Sequence, residues 1–242
     1  SRQFGDLNRG HNIHAVDPDF PEIYGVVKNR HKPRQSGEPA FDPWTGWHTD
    51  LTPAINPPTA SFLWGDVVTP YGGDTQWTNL AAAYDALSPA MRNFVDGLRG
   101  VHTYMNYNGV QATQKFTDEI AENQKTSEHP IVCVHPESGR RVLWVSPKFL
   151  QKIVGLTPTE NNSLLALLKT HAVRPEFTLR FKWSPGSLAM WDNRSTAHMA
   201  PRDFQRTDFD RQLFRTTSVG AIPVGVNGEK SKSLEGTPLE AI

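Results

Sequence analysis

The segment GWHTDLTP, residues 46–53, sets a histidine and an aspartate two positions apart behind a tryptophan. Along an extended strand, residues i and i+2 project to one face. His48 and Asp50 can then aim an imidazole and a carboxylate at one point, which suits a metal ion. A second histidine stands far downstream in MWDNRSTAHMAPRD, where His198 follows a strand and turn in a stretch dense with polar side chains. Together His48, Asp50 and His198 offer two imidazoles and one carboxylate on one side of a metal, with the opposite positions open. That donor set suits Fe(II) centres at which a co-substrate and O₂ both bind the ion. It also suits a hydrolytic zinc site, in which metal-bound water is the nucleophile.

Beyond His198 comes RQLFR, with Arg211 and Arg215 four residues apart. On a strand that even spacing turns both guanidinium groups to one side, which can be the side of the metal. A guanidinium on an apolar wall is costly unless an anion meets it. Arginine is also the residue suited to bidentate recognition of carboxylate or sulfo groups. Two inward arginines imply two anionic ligands, or one ligand and one structural partner such as Asp208 or Asp210.

These groups need a scaffold, and the chain between them reads mainly as strands. EIYGVVKN, ASFLWGDVV, EFTLRFKW, GSLAMWDN and RQLFRTTSVG are strand candidates, and EFTLRFKW alternates as expected with one face buried. NLAAAYDALSPAMRNFVDGLRG reads as two short helices, capped by Asn79 and started by Ser88-Pro89. A third helix is expected from Pro158 to His171 behind Thr157. Trp47, Trp64, Trp77 and Trp191 are expected in the core, and His102, His129, His135 and His171 as structural or solvated groups. Short strands with turn signals and few helices predict a single domain over 1–242, mainly β with α decoration, either a β-sandwich or a jelly roll (double-stranded β-helix). HKPRQSGEPAFDP reads as a long loop, and Lys32 to Pro43 within it as a lid. The polar tail, 225–242, is expected to be loosely ordered.

The 242 residues are 37% hydrophobic, enough for a sizeable core, and Lys+Arg 25 balances Asp+Glu 25. No overall basic field draws the chain to nucleic acid or an anionic membrane. No apolar run is long enough to span a bilayer, and no signal peptide is visible. The single cysteine, Cys133 in IVCVHP, rules out an intramolecular disulfide and suits a reducing cytoplasm; its apolar setting predicts a buried strand thiol.

WHTD, GGDTQW, WDNRSTAH and the two arginines of RQLFR, in that order, resemble the taurine dioxygenase family of Fe(II)- and 2-oxoglutarate-dependent oxygenases, from about Phe4 to about Val219. The resemblance implies that His48, Asp50 and His198 bind iron, and that Thr75 and Arg211 hold the distal carboxylate of 2-oxoglutarate. It implies that Arg215 meets the sulfonate or sulfate of a small anionic substrate, that O₂ is consumed, and that the protein is a homo-oligomer, a dimer or a tetramer. Members usually carry a further N-terminal segment before the FG of Phe4-Gly5. Taurine-specific members also carry an HxxY pair and an asparagine four residues before the first iron histidine. Here the substrate-binding candidates are His11 and His14, with Asp17 where the tyrosine would follow and Trp44 at the minus-four position. An alkyl sulfate ester or a bulkier sulfonate therefore fits as well as taurine. At this level a zinc hydrolase built on the same three ligands and a non-catalytic jelly-roll binding protein both stay open. The hydrolase would give Thr75 and Arg211 no role.

Overall fold

The computed structural model describes residues 1–9, 17–28, 42–104, 123–201, 203 and 208–242. The predicted loop and lid (from 31 to 41), His11 and His14 lie outside the described residues.

Two antiparallel sheets form the frame. One has four strands in the order β1 (Tyr24–Lys28), β12 (Arg211–Thr217), β2 (Ala60–Val67) and β10 (Leu188–Asp192). The other has three, β11 (Thr196–Met199), β3 (Thr75–Asn79) and β9 (Thr178–Phe181). Leu63, Trp191 and Leu213 from the first sheet share a core with Trp183, and Trp77 and Phe181 from the second pack against it, so the sheets face one another. Every pairing is antiparallel, and strands distant in sequence lie side by side. This is a jelly roll, one of the two frames that the strand pattern predicts.

A second layer carries a larger core. α1 (Leu80–Asp85), α2 (Pro89–Val95) and α3 (Pro158–Ala172) contribute Ala83, Tyr84, Val95, Leu164, Leu165 and Leu168. They pack with Ile131, Leu143, Leu150 and Ile153 from the region of β4 (Arg99–Thr103), β5 (Thr126–Pro130), β6 (Val132–Val134), β7 (Arg141–Leu143) and β8 (Leu150–Ile153). The expected caps are in place. The Asn79 side chain accepts from the Ala81 and Ala82 amides, and the Ser88 hydroxyl accepts from the Met91 amide. The Thr157 amide donates back to Glu160 at 2.9 Å. Cys133 is buried on β6, and burial pushes its thiol up, away from thiolate chemistry.

Three expectations need correction. Trp64 is 42% exposed, because it lies on the outer face of β2, stacked on Phe214. Along EFTLRFKW the apolar face is covered at Phe177, Phe181 and Trp183, but Leu179 between them is exposed. The tail is ordered: β13 (Lys232–Glu235) pairs with β5, and Asn56 exchanges two hydrogen bonds with the backbone of Leu239. Polar composition hid the pairing, because edge strands and side-chain clamps need no apolar run.

That tail also reaches a sealed pair of histidines. His102 and His129 are fully buried. His102 Nδ1 lies 2.9 Å from the Thr52 hydroxyl, while His129 Nε2 lies 2.8 Å from the Thr52 carbonyl and its Nδ1 2.6 Å from the Ser231 hydroxyl. Burial pushes His102 well below the ordinary imidazole value and His129 down to about 4. The unfolded chain takes up protons near the ordinary value of about 6.5, so below that pH it binds more protons than the folded state. Stability is therefore expected to fall as the pH drops from about 6.5 towards 4, by up to roughly 1.4 kcal/mol per pH unit for each histidine. Urea midpoints between pH 7 and pH 4.5 check this, and a midpoint flat across that window would contradict neutral burial.

Candidate metal centre

His48 and His198 meet through their backbones. The His48 amide donates to the His198 carbonyl at 2.9 Å, and the reverse bond is 2.7 Å, forming one antiparallel bridge. The imidazole centroids are consequently 4.3 Å apart. The extended strand expected through Asp50 is absent. The chain turns after Thr49, and Leu51 has φ +46°, alone among non-glycine residues described in taking a positive value. Thr49 holds the turn, its hydroxyl donating to the Thr196 carbonyl and its amide to the Ser146 hydroxyl. The carboxylate still arrives at the imidazoles. Asp50 Oδ1 lies 3.8 Å from His48 Nε2 and 3.6 Å from His198 Nε2. Those separations are too long for hydrogen bonds, and they leave the gap that a shared cation fills.

The donor set fits such an ion. His48 Nδ1 lies 3.0 Å from the Gly46 carbonyl, which assigns the proton to Nδ1 and the lone pair to Nε2. Burial, followed by the neighbouring His198, holds His48 well below the ordinary imidazole value. Burial, with Lys148 nearby, takes His198 down to about 3. Both rings are neutral, with lone pairs to give. His135, Glu137 and Asp192 also converge, but Arg194 already bonds Glu137 and Asp192, each at 2.7 Å, and supplies the cation there.

β12 turns Arg211, Leu213 and Arg215 inward and Gln212 and Phe214 outward, as the even spacing predicts. Arg211 is buried, and its Nε donates to the Gly73 carbonyl at 3.0 Å. A Cβ at Gly73 would stand 3.2 Å from Arg211 Cδ, so glycine lets the guanidinium stem pass. Burial lowers Arg211 to about 10, opposed by Asp74 and Asp203. Thr75 follows two residues after Gly73, and its buried hydroxyl accepts from Trp183 Nε1 at 3.0 Å. The two candidate co-substrate residues are thus brought to one glycine turn. Arg215 takes a partner the sequence did not suggest. Its Nη2 donates to Asp50 Oδ2 and, at 3.0 Å, to the Ser61 hydroxyl, while the guanidinium lies 4.9 Å from the Trp191 ring centroid.

Sequence reasoning missed Ser61, Trp183, Asn193 and Lys148. Ser61 donates to Asp50 Oδ2 at 2.8 Å, and Asn193 donates to Ser61 at 2.9 Å. Asn193 stood within the WDN motif, where an amide shortly before a candidate metal ligand was a usable signal. Ser61 and Trp183 carried none.

Facing antiparallel sheets with a convergent set of two histidines and one carboxylate, Asp50 and His198 buried and His48 half-buried, define a double-stranded β-helix protein with a candidate metal-binding centre. The chain belongs to the family described as "Taurine catabolism dioxygenase TauD, TfdA family", whose model matches residues 1–217. It is 37% identical over 198 residues to an alpha-ketoglutarate-dependent sulfate ester dioxygenase of Pseudomonas putida, covering 77% of this chain and 64% of the relative. It is 33% identical over 202 residues to an alkylsulfatase of Acinetobacter baylyi, covering 81% and 63%. Among solved structures, a taurine dioxygenase from Burkholderia xenovorans matches with TM-score 0.81 and 53% identity, over 97% of this chain and 76% of that one. The chain spans just under two thirds of the length of the two curated relatives. The zinc-hydrolase and non-catalytic readings gain no support from these likenesses.

Proposed function

We propose that this chain is an Fe(II)- and 2-oxoglutarate-dependent dioxygenase acting on a small organosulfur anion, an alkyl sulfate ester or a sulfonate. The observation that carries the reading is the convergence of half-buried His48 with buried Asp50 and His198, beside Arg211 and Arg215 on the inward face of one strand. His48, Asp50 and His198 would hold the ion. When bound, iron supplies the oxygen chemistry that couples decarboxylation of the keto acid to hydroxylation of a C–H bond.

The chain's own residues bind and orient. Arg211, its Nε held on the Gly73 carbonyl, and Thr75, oriented by Trp183, receive the distal carboxylate of 2-oxoglutarate. Arg215 receives the sulfo group. Its Nε is buried without a partner among the described residues, a donor that an anion would satisfy. Placing the anion there sets the adjacent carbon beside the metal ligands. Hydroxylation at that carbon gives an adduct that collapses to an aldehyde and sulfate, from an ester, or sulfite, from a sulfonate. 2-Oxoglutarate leaves as succinate and CO₂.

The sulfate-ester version is supported by the P. putida relative's activity and by Trp44 at the position where taurine-specific members carry asparagine. A panel of alkyl sulfates, sulfonates and phenoxyacids, scored by succinate, tests it. We expect alkyl sulfates to give the most succinate, with sulfate released in equal amount. Succinate formation that ignores the panel throughout would overturn the substrate assignment.

A further inference from the structure

The second oxygen of Asp50 is held by a chain of donors whose direction the structure fixes. Asn193 is fully buried just past β10, with its amide donating to the Thr59 carbonyl and its carbonyl accepting from Trp144 Nε1 at 3.2 Å. Trp191 Nε1 can only donate, and it donates to Asn193 Oδ1 at 3.1 Å. That contact orients the side-chain amide, so Nδ2 faces Ser61 and donates to its hydroxyl at 2.9 Å. Arg215 Nη2 donates to the same hydroxyl at 3.0 Å. A serine oxygen has two lone pairs and one proton. Both lone pairs are taken, so the proton goes to Asp50 Oδ2, 2.8 Å away. Ser61 is itself fully buried and faces Trp191 across the β2–β10 pairing, so water does not compete.

The consequence falls on the other carboxylate oxygen. With Oδ2 held by Ser61 and Arg215, Oδ1 is the atom turned towards the two Nε2 lone pairs. We propose that Trp191, Asn193 and Ser61 form a one-way hydrogen-bond relay that fixes Asp50 as a one-oxygen ligand. They are positioning residues, and the inference rests on the metal reading above. The relay matters because a carboxylate free to turn can offer both oxygens. The metal would then lose one of the positions that the keto acid and O₂ need. Outer partners of metal ligands typically carry tenfold to hundredfold effects on metal affinity.

Ser61→Ala tests this. It removes the proton donor to Asp50 and the acceptor that Asn193 and Arg215 share. Titration of the metal-free variant with Mn(II), followed by electron paramagnetic resonance, should show affinity weakened roughly tenfold to hundredfold, with an altered signal for the bound ion. Trp191→Phe keeps an aromatic ring in the core and removes the donor that orients Asn193, together with part of the ring packed on Arg215 and His198; it should move affinity in the same direction by less. It answers the question alone should Ser61→Ala fail to fold. Thermal melting without metal separates fold damage from ligand positioning. A folded variant with a lowered melting point but parental Mn(II) affinity and signal would overturn the relay. Asp50→Ala distinguishes the two levels. If it loses Mn(II) while the relay variants bind normally, only the relay is wrong; if it too binds normally, the metal reading itself fails.

Discussion

Asp50→Ala is expected to abolish the visible charge-transfer band that Fe(II) and 2-oxoglutarate give together in the absence of O₂, and turnover with it. Asp50 is the only anion of the three ligands, since burial keeps both imidazoles neutral. Without it the ion meets only two neutral imidazoles from this set. The substitution also strands Arg215, whose guanidinium now bonds Asp50 and whose side chain is only 11% exposed. An uncompensated buried cation costs about 3–5 kcal/mol and would stand beside the metal, repelling it. The variant should therefore lose stability before metal is added, and a metal-free melting curve run beside the spectrum records that. A band of unchanged intensity would remove Asp50 from the ligand set.

The second large effect divides the two arginines. Arg211→Ala should raise the 2-oxoglutarate requirement whichever prime substrate is supplied, because Arg211 lies at the Gly73 turn that also leads to Thr75. Arg215→Ala should leave that requirement nearly intact and weaken anionic substrates. Loss of a charge-assisted contact typically costs about 1.5–3 kcal/mol, or roughly tenfold to a hundredfold in affinity. Arg215 also touches Asp50 Oδ2, but Ser61 donates to the same oxygen and keeps the ligand oriented. Uncoupled succinate formation should thus survive in the Arg215 variant while substrate oxidation falls. Both products, measured separately in each variant, decide the matter. If Arg215→Ala destroys 2-oxoglutarate binding as thoroughly as Arg211→Ala, the division of labour is wrong, and the case for a sulfo-group substrate goes with it.

Much of the scaffold was legible because its signals are local. Asn79, Ser88-Pro89 and Thr157 with Glu160 start helices through bonds to amides two or three residues away, so residue type and spacing suffice. Alternation along RQLFR decides that both arginines face inward, since a strand has period two. The types His, Asp and His likewise restrict the chemistry to a metal or a hydrogen-bonded cluster. Other features depended on partners far along the chain. Asp50 is oriented by Ser61 and Arg215, and Ser61 by Asn193, 132 residues away. The tail became a strand because β5 offered an open edge, while Trp64 stayed outside because nothing described covers that face of β2. By itself the sequence determined the periodicities, the caps and the kinds of donor available. Only the tertiary structure decided which oxygen of Asp50 points at the imidazoles, because hydrogen-bond direction is set by which buried groups meet, and chain order does not encode that meeting.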